Sequence, residues 1–292
     1  DAVAALRVPV ELAPGEAREL GFVLATAETE EGTNGLLERF GSIPALDASL
    51  ADAKGAWAEL LAGHRVETPD APFDAFLNDW VRYQAISARI QGRCGYYQQS
   101  GAYGFRDQLQ DSQVWLTVDP ARCREQVALH AAHQFADGSV YHWWHPLAEM
   151  GHVTKMTDDL LWLAFVTAAY VRETGDLSIL ADRAPFLDDA QPAPLVEHVL
   201  RAFERVFQRT SPRGLPYIGA GDWNDGLSAV GLEEKGESVW LAHFLAGLLG
   251  DWAEILGRSG EPARAADFAR RRETLVAAVN EHGWDGAWYW RA

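Results

Sequence analysis

Cysteine is scarce in this 292-residue chain: Cys94 and Cys123 are the two, and neither has a partner at a metal-ligand spacing. That leaves no framework for a disulfide scaffold and points to reduced thiols in a cytoplasmic protein. Basic residues are short as well. Against 42 Asp and Glu stand 25 Lys and Arg, a net charge of −17. Such a surface repels nucleic acid and anionic membranes, so neither is an expected partner. An anionic substrate would need a local basic pocket. No apolar run reads as a bilayer span, and no signal peptide opens the chain. No Walker-type phosphate loop, dinucleotide fingerprint or Gly-x-Ser-x-Gly elbow is present, so nucleotide binding and Ser or Cys nucleophilic catalysis have no motif behind them. Methionine is absent until Met150. The chain starts at Asp1 in strand-like sequence and stops at Ala292 with no polar tail, which suggests a piece of a longer protein.

What is abundant is apolar and aromatic. Hydrophobic residues make up 48% and Trp occurs 12 times, surplus that goes to a core or to ligand stacking. Ala5–Val10 and Arg18–Ala25, separated by Pro14-Gly15-Glu16, read as a hairpin. Residues 1–30 are thus expected to belong to a sheet that lies mostly upstream, since two strands are not stable alone. Residues 31–68 read as linker helices over Thr33–Phe40 and Leu50–His64. From residue 69 to 292 the pattern is helical: Phe73–Ile90, Pro120 to about Phe135, Thr157–Thr174, Pro194–Thr210, Ser238–Leu256 and Glu261–Asn280. The stretch Leu160–Val166 is apolar on every side, which marks a helix buried all round among amphipathic ones. The expectation is a mainly α, double-layered helical array, with long loops at helix ends where sites lie.

The chain is organised around Gly221–Gly226, Gly-Asp-Trp-Asn-Asp-Gly. Here glycines bracket Asp222, Trp223 and Asp225. An indole beside carboxylates suits a sugar ring: the C–H face stacks and hydroxyls take charged acceptors. The indole could also desolvate a neighbouring carboxyl and raise its pKa, as a general acid requires. An Asx-turn with a buried Trp explains the six residues equally well. In Gly101–Asp111, Arg106 and Asp107 offer a planar fork and two acceptors, with Asp111 one turn on. An Arg–Asp pair at a helix N-terminus is the plainer account. Tyr141–His152 holds three histidines and Glu149, but Pro146 breaks any helix and no His-Glu-x-x-His pattern exists, so no metal is expected. Its aromatic wall, Trp144 included, serves packing or sugar stacking. Lys235–Trp240 opens a helix, with Ser238 as cap and Glu237 outside it.

Together these stretches resemble the inverting sugar phosphorylases of the cellobiose and chitobiose phosphorylase family, and the phosphorylase domain of cyclic β-1,2-glucan synthases. The matching segments are Arg93–Asp111, His142–Pro146, Thr157–Trp162, Gly221–Gly226 and Lys235–Trp240. The Tyr-Tyr-Gln-Gln-Ser-Gly-Ala-Tyr run is closer to the β-1,2-glucan branch. The resemblance implies a β-sandwich, a helical linker and an (α/α)6 toroid, the last incomplete in this chain. It implies Asp225 as general acid, and Arg106, Asp107 and Trp223 around the transferred sugar, with Asp111 and Trp144 taken as further substrate contacts. Arg93 matches a phosphate-binding arginine, while a second arginine of the family's loop has no counterpart here. The family's other phosphate ligands, a His and a Thr-Gly pair, fall beyond Ala292. The implied reaction is reversible phosphorolysis of a β-linked oligosaccharide or glucan with inversion. Inorganic phosphate is then co-substrate, no cofactor takes part, and a homodimer of the full-length protein is an expected assembly. Two alternatives stand beside it. One is an inverting hydrolase with Glu149, Asp158, Asp159 or Glu237 as base. The other is a carbohydrate-binding piece without catalysis, since residues 1–292 alone are expected to be a poor catalyst.

Overall fold

The computed structural model describes residues 5–94 and 100–292. The chain divides into two compact units, one up to Ala62 and one from Gly63 to Ala292. In the first, the turn expected at Pro14-Gly15 is present: Glu16 N–H donates to Ala13 O at 2.9 Å, and Gly15 supplies φ 82°. The flanking residues pair into no strand among the described residues, so the expected hairpin ladder is not formed. Leu6, Val8, Val10, Leu20, Phe22 and Leu24 alternate as strand residues do, yet all remain exposed. A two-stranded ribbon with no apolar face to bury has too little to offset its ordering. Two helices follow, α1 (Glu30–Phe40) and α2 (Ile43–Leu60), N-capped by the hydroxyls of Thr29 and Ser42. The second starts earlier than its apolar spacing indicates, because Ser42 caps it and Pro44 fits its first turn.

The second unit opens with α3 (Ala71–Ala75), capped by Asp70 and running through a π-turn (Phe76–Trp80) into α4 (Val81–Gln84) and a second π-turn (Ala85–Gln91). The organising helix is α7 (Trp162–Thr174). It packs against α5 (Phe105–Ser112), α6 (Pro120–Ala131), α8 (Leu195–Phe207) and α9 (Val239–Arg258). Leu163, Ala164, Val166, Thr167, Ala168 and Val171 are all buried, as an all-apolar helix requires. Gly175 at φ 73° ends it. Its entry departs from expectation. Asp158–Leu161 is a 3-10 turn, and Thr157 makes no cap because its hydroxyl accepts from Arg209 Nε at 3.3 Å.

The outer layer includes α8, whose Leu195, Val199, Ala202, Phe203 and Val206 face inward, and α10 (Pro262–His282), which lies along α9. By length and composition α9 is apolar enough to cross a membrane, contrary to the sequence reading that no run is; 56% of that window is buried, and Leu241, Leu245, Leu248 and Trp252 are spent on the core. Two small sheets sit at helix ends. In one, β1 (Tyr103–Gly104), β2 (Trp143–His145) and β3 (Met150–His152) run antiparallel in that order. The other pairs β4 (Arg183–Phe186) with β5 (Asp189–Pro194). Strands this short leave no alternation to read, so the sequence shows them as loop. The mainly α architecture is the expected one.

Candidate active site

Gly104 and α5 begin the site. A Cβ on Gly104 would collide with the Asp107 side chain, so glycine is what lets β1 turn directly into the helix. The first turn of α5 sends Arg106 inward to 6% exposure. Its guanidinium then meets three acceptors. Nη2 donates to Asp225 Oδ1 at 2.9 Å, and Nη1 donates to Asp158 Oδ2 at 3.3 Å and to the Asp222 carbonyl at 3.2 Å. Burial alone would lower the Arg106 pKa, but Asp158 and Asp225 outweigh it and hold the guanidinium charged. One arginine thus joins α5, the entry of α7 and the Gly221–Gly226 turn.

Beneath that arginine lies a buried acidic pair. Asp158 also accepts from Trp162 Nε1 at 3.0 Å, and Asp159 from His142 Nδ1 at 2.8 Å. Neither carboxyl reaches water, and Oδ1 of each has no hydrogen-bond partner. Burial, helped by the charge of Asp159, pushes Asp158 up to about 7 against the pull of Arg106 and Trp162. The bond to Asp159 raises His142 above the usual imidazole value.

The turn itself is held from below by Asp222. This carboxyl is fully buried, takes Ser238 Oγ at 2.6 Å, and is gripped by both terminal nitrogens of Arg291 at 2.6 and 2.8 Å. Burial works to raise its pKa, but Arg291, Ser238 and the Asn224 N–H together hold it below the ordinary range. Ser238 meanwhile accepts from Leu241 N–H at 2.9 Å as the N-cap of α9. Gly219, at φ 68°, lies so close to the Lys155 carbonyl that any Cβ would collide. So fixed, the turn presents Asp225, its side chain 60% exposed, and Trp223, 53% exposed, at its open side. Trp223 is therefore neither the buried indole of an Asx-turn nor a wall that shuts Asp225 off from water. The desolvation that the sequence places at Asp225 is found at Asp158.

The other expected site residues are distributed differently. Asp107 and Asp111 flank Arg89, at 3.6 and 2.9 Å, with Asp111 raised by burial despite that arginine. Asp111 is thus the ion-pair partner of Arg89. Arg93, at φ 46°, donates Nε to Gly101 O at 2.9 Å and Nη1 to Gln91 O at 3.2 Å, and lies 4.6 Å over the Tyr103 ring. None of these three contacts reaches the Arg106–Asp225 pair. The Tyr96–Gln99 part of the loop motif lies outside the described residues. Trp144 is completely buried, stacked 4.1 Å from the His133 ring and 5.1 Å from Tyr103. It is a core residue and not a sugar platform, because alternation along β2 turns it inward and leaves Trp143 39% exposed. The histidines diverge: His142 serves Asp159, whereas His145 and His152 lie against Trp143. Among the described residues no group of three or more acids, histidines and cysteines is placed to hold a metal.

A cavity of about 610 Å³ opens on the far part of the same loop, lined by Lys155, Arg209, Tyr217, Gly219, Ser228 and Glu234. It includes neither Arg106 nor Asp225. Its charged groups are paired, Lys155 with Glu234 and Arg209 with the Lys155 carbonyl. Three parts of that cluster escaped the sequence: the stacking of Asp158 and Asp159 under Arg106, the Arg291 grip, and the role of Arg89. The first had a signal. Two acids directly before a helix apolar on every side cannot both stay in water.

Comparison with known proteins follows this geometry. The catalytic-domain model of the glycosyl hydrolase 94 superfamily matches residues 56–292. The cyclic beta-(1,2)-glucan synthase NdvB of Rhizobium meliloti is 38% identical over 308 residues, covering 100% of this chain and 11% of that protein. The cellobionic acid phosphorylase of Neurospora crassa is 30% identical over 292 residues, and the solabiose phosphorylase of Paenibacillus borealis 32% over 296; each match covers 99% of this chain and 36% of the relative. The chain therefore spans about a third or less of these relatives' length. Among solved structures, a rhamnosidase from Klebsiella oxytoca with rhamnose bound superposes with a TM-score of 0.56 at 16% identity, over 79% of this chain and 42% of that one, a likeness of fold. With residues 56–292 matching the catalytic-domain model, this chain belongs to the glycosyl hydrolase 94 superfamily.

Proposed function

We propose that this chain carries the acid-bearing half of a glycoside phosphorylase site that cleaves a β-linked glucoside by inversion, with inorganic phosphate as nucleophile and Asp225 as general acid. The observation that carries the reading is the Arg106–Asp225 contact at 2.9 Å, at the open side of a turn anchored by Asp222. A rigid turn holding one accessible carboxyl beside an exposed indole is suited to hold a sugar ring and protonate its leaving oxygen. Phosphate attacks the anomeric carbon from the opposite face; the C–O bond breaks as the P–O–C bond forms, and the proton from Asp225 ends on the departing hydroxyl. Arg93 is the proposed phosphate contact, and Asp107 a contact of the transferred ring.

The geometry favours phosphate over a carboxylate base. Glu237 is 9% exposed and paired with Arg213, Glu149 is bonded to His133 at 3.0 Å, and Asp158 and Asp159 are sealed under Arg106. No cofactor is part of the proposal. Because a cyclic beta-(1,2)-glucan synthase is 38% identical over this whole chain, a β-1,2-linked glucan is the substrate to test first. The test incubates a full-length protein carrying this chain with β-1,2-glucooligosaccharides, with and without phosphate. Release of α-glucose 1-phosphate only when phosphate is present supports the reading. Free glucose released at the same rate without phosphate would replace it with hydrolysis.

A further inference from the structure

Two histidines of the helical unit spend both ring nitrogens inside the fold. His133 bonds the Leu129 carbonyl and Glu149, and His198 bonds Gln134 and the Ala184 carbonyl. His142 spends one. Its Nδ1 donates to Asp159 Oδ2 at 2.8 Å, on a buried carboxyl that Thr154 Oγ1 also reaches at 3.4 Å. Its Nε2 has no partner among the described residues, and the side chain is 20% exposed. The bond to Asp159 raises His142 above the usual imidazole value, and both nitrogens of an imidazolium are donors. The anchored ring therefore keeps one charged N–H unspent.

The main chain sets this ring at the site. Phe105 N–H donates to the His142 carbonyl at 3.0 Å, and His142 N–H donates to the His152 carbonyl at 2.7 Å. His142 is thus clamped between β3 and the start of α5, where Arg106 follows Phe105. The charges of Arg106 and Asp225 both act on the ring. Because Nδ1 faces the buried Asp159, Nε2 on the opposite edge faces away from it. Inversion brings phosphate to the sugar face opposite the acid. A histidine within the field of Asp225 stands on the acid's side of the ring. The acceptor that fits Nε2 is then a sugar hydroxyl rather than the incoming phosphate.

We propose that His142 is a sugar-binding residue: its Nε2–H donates a charge-assisted hydrogen bond to one hydroxyl of the transferred ring, and Asp159 behind it fixes the imidazole for that task. The inference rests on the reading of this cluster as a glycoside phosphorylase site and adds a residue to it.

The test uses a full-length protein carrying this chain, run in the synthetic direction with a β-1,2-glucooligosaccharide acceptor. The donors are α-glucose 1-phosphate and its 2-, 3-, 4- and 6-deoxy analogues. His142→Asn places an amide nitrogen where Nδ1 meets Asp159 and removes Nε2. The expected result is a loss of about 10- to 100-fold in kcat/KM for α-glucose 1-phosphate, with Tm near wild type. One deoxy donor should suffer a similar loss in the wild type and no further loss in the variant, because the same hydrogen bond is removed from either side. Deoxygenation losses that are as large in His142→Asn as in the wild type at every position would overturn the proposal. So would a lower Tm with no change in kcat/KM, which would leave His142 as the counter-charge of Asp159 alone. A raised KM for phosphate in phosphorolysis, with the sugar kinetics unchanged, would make His142 a phosphate ligand and equally overturn it. Asp225→Asn is run beside it: retained turnover there ends the general-acid reading, whereas the deoxy series alone bears on His142. Should His142→Asn not fold, diethyl pyrocarbonate on the wild type decides. α-Glucose 1-phosphate should slow carbethoxylation of His142, read by peptide mass, and a lack of protection overturns the proposal.

Discussion

Arg291 closes on Asp222 with both terminal nitrogens, Nη2 on Oδ1 at 2.6 Å and Nη1 on Oδ2 at 2.8 Å, and so ties the last residues of the chain to the turn that carries Asp225. Asp222 is wholly buried, so the pair cannot be exchanged for water when one partner is removed. Breaking a buried pair costs about 3–5 kcal/mol. With Arg291 39% exposed, the lower end of that range applies. Arg291→Ala should lower Tm by several degrees, at about 2–4 °C per kcal/mol for a unit this size. It should also loosen the turn, with kcat falling as Asp225 loses its fixed position. Thermal unfolding and kinetics on the same preparation check this. A Tm within a degree of wild type would show that Arg291 does not anchor the turn.

Asp225→Asn and Arg106→Ala should separate, although their side chains touch. Asp225 is mostly exposed and Asn keeps an oxygen for Arg106 Nη2, so Tm should hold while turnover falls about 10²- to 10⁴-fold. Arg106→Ala leaves Asp158 buried beside Asp159 with no cation against it, and both stability and turnover should fall. Arg106→Lys restores the charge but not the fork, so it should recover Tm more than activity. Equal Tm values for Asp225→Asn and Arg106→Ala would contradict the buried network.

The two adjacent indoles of β2 give the next contrast. Trp144 fills the space between His133 and Tyr103, so Trp144→Ala should cost about 3–5 kcal/mol, as large aromatic deletions do. Trp143 points the other way and is partly exposed, so Trp143→Ala should leave Tm nearly unchanged. If the open face of this sheet contributes to sugar binding, calorimetry with a glucooligosaccharide will show weaker affinity in Trp143→Ala. A large Tm loss there would show that the alternation along β2 has been misassigned.

Much of this was legible in the sequence, and the reasons are local. Helix α7 declared itself by apolar residues on every side and by Gly175, and α9 by Ser238. The Gly221–Gly226 turn was legible through chemistry and resemblance together, whereas the contact of Arg106 with Asp225 was not. Partner choice was not legible. Nothing near Asp111 shows that Arg89 will take it, and nothing near Asp222 points 69 residues ahead to Arg291. Those partners are set by how α5 packs and where the chain returns beside α9. Trp144 was misread for a different reason: a three-residue strand carries too little alternation to tell its inward ring from its outward one. The hairpin at Pro14 shows the converse, correct turn chemistry without a face for its strands to cover.

Stability should be greatest in mild acid, because Asp158 and His142 titrate in a common sense. In the unfolded chain Asp158 ionises near 3.8, whereas the fold pushes it up to about 7. Between those values the folded state holds a proton that the unfolded state has lost, so stability falls as pH rises through the window, and the whole cost is present above it. His142 acts likewise. Asp159 raises it, so its contribution is complete below the ordinary imidazole value and is lost as pH climbs through the folded value. Asp222 limits the other side. Its folded value is depressed, so its contribution is present above the ordinary carboxylate value and disappears as pH falls through the folded one. Tm measured from about pH 3 to about pH 9 should therefore pass through a maximum near pH 4 and decline toward alkali. In Asp158→Asn the decline between about pH 5 and 7 should be shallower, and in His142→Gln the decline above the ordinary imidazole value should be. A wild-type Tm that rises steadily from pH 5 to pH 8, or an unchanged slope in Asp158→Asn, would mean that Asp158 stays ionised in the fold and that Arg106 alone neutralises it.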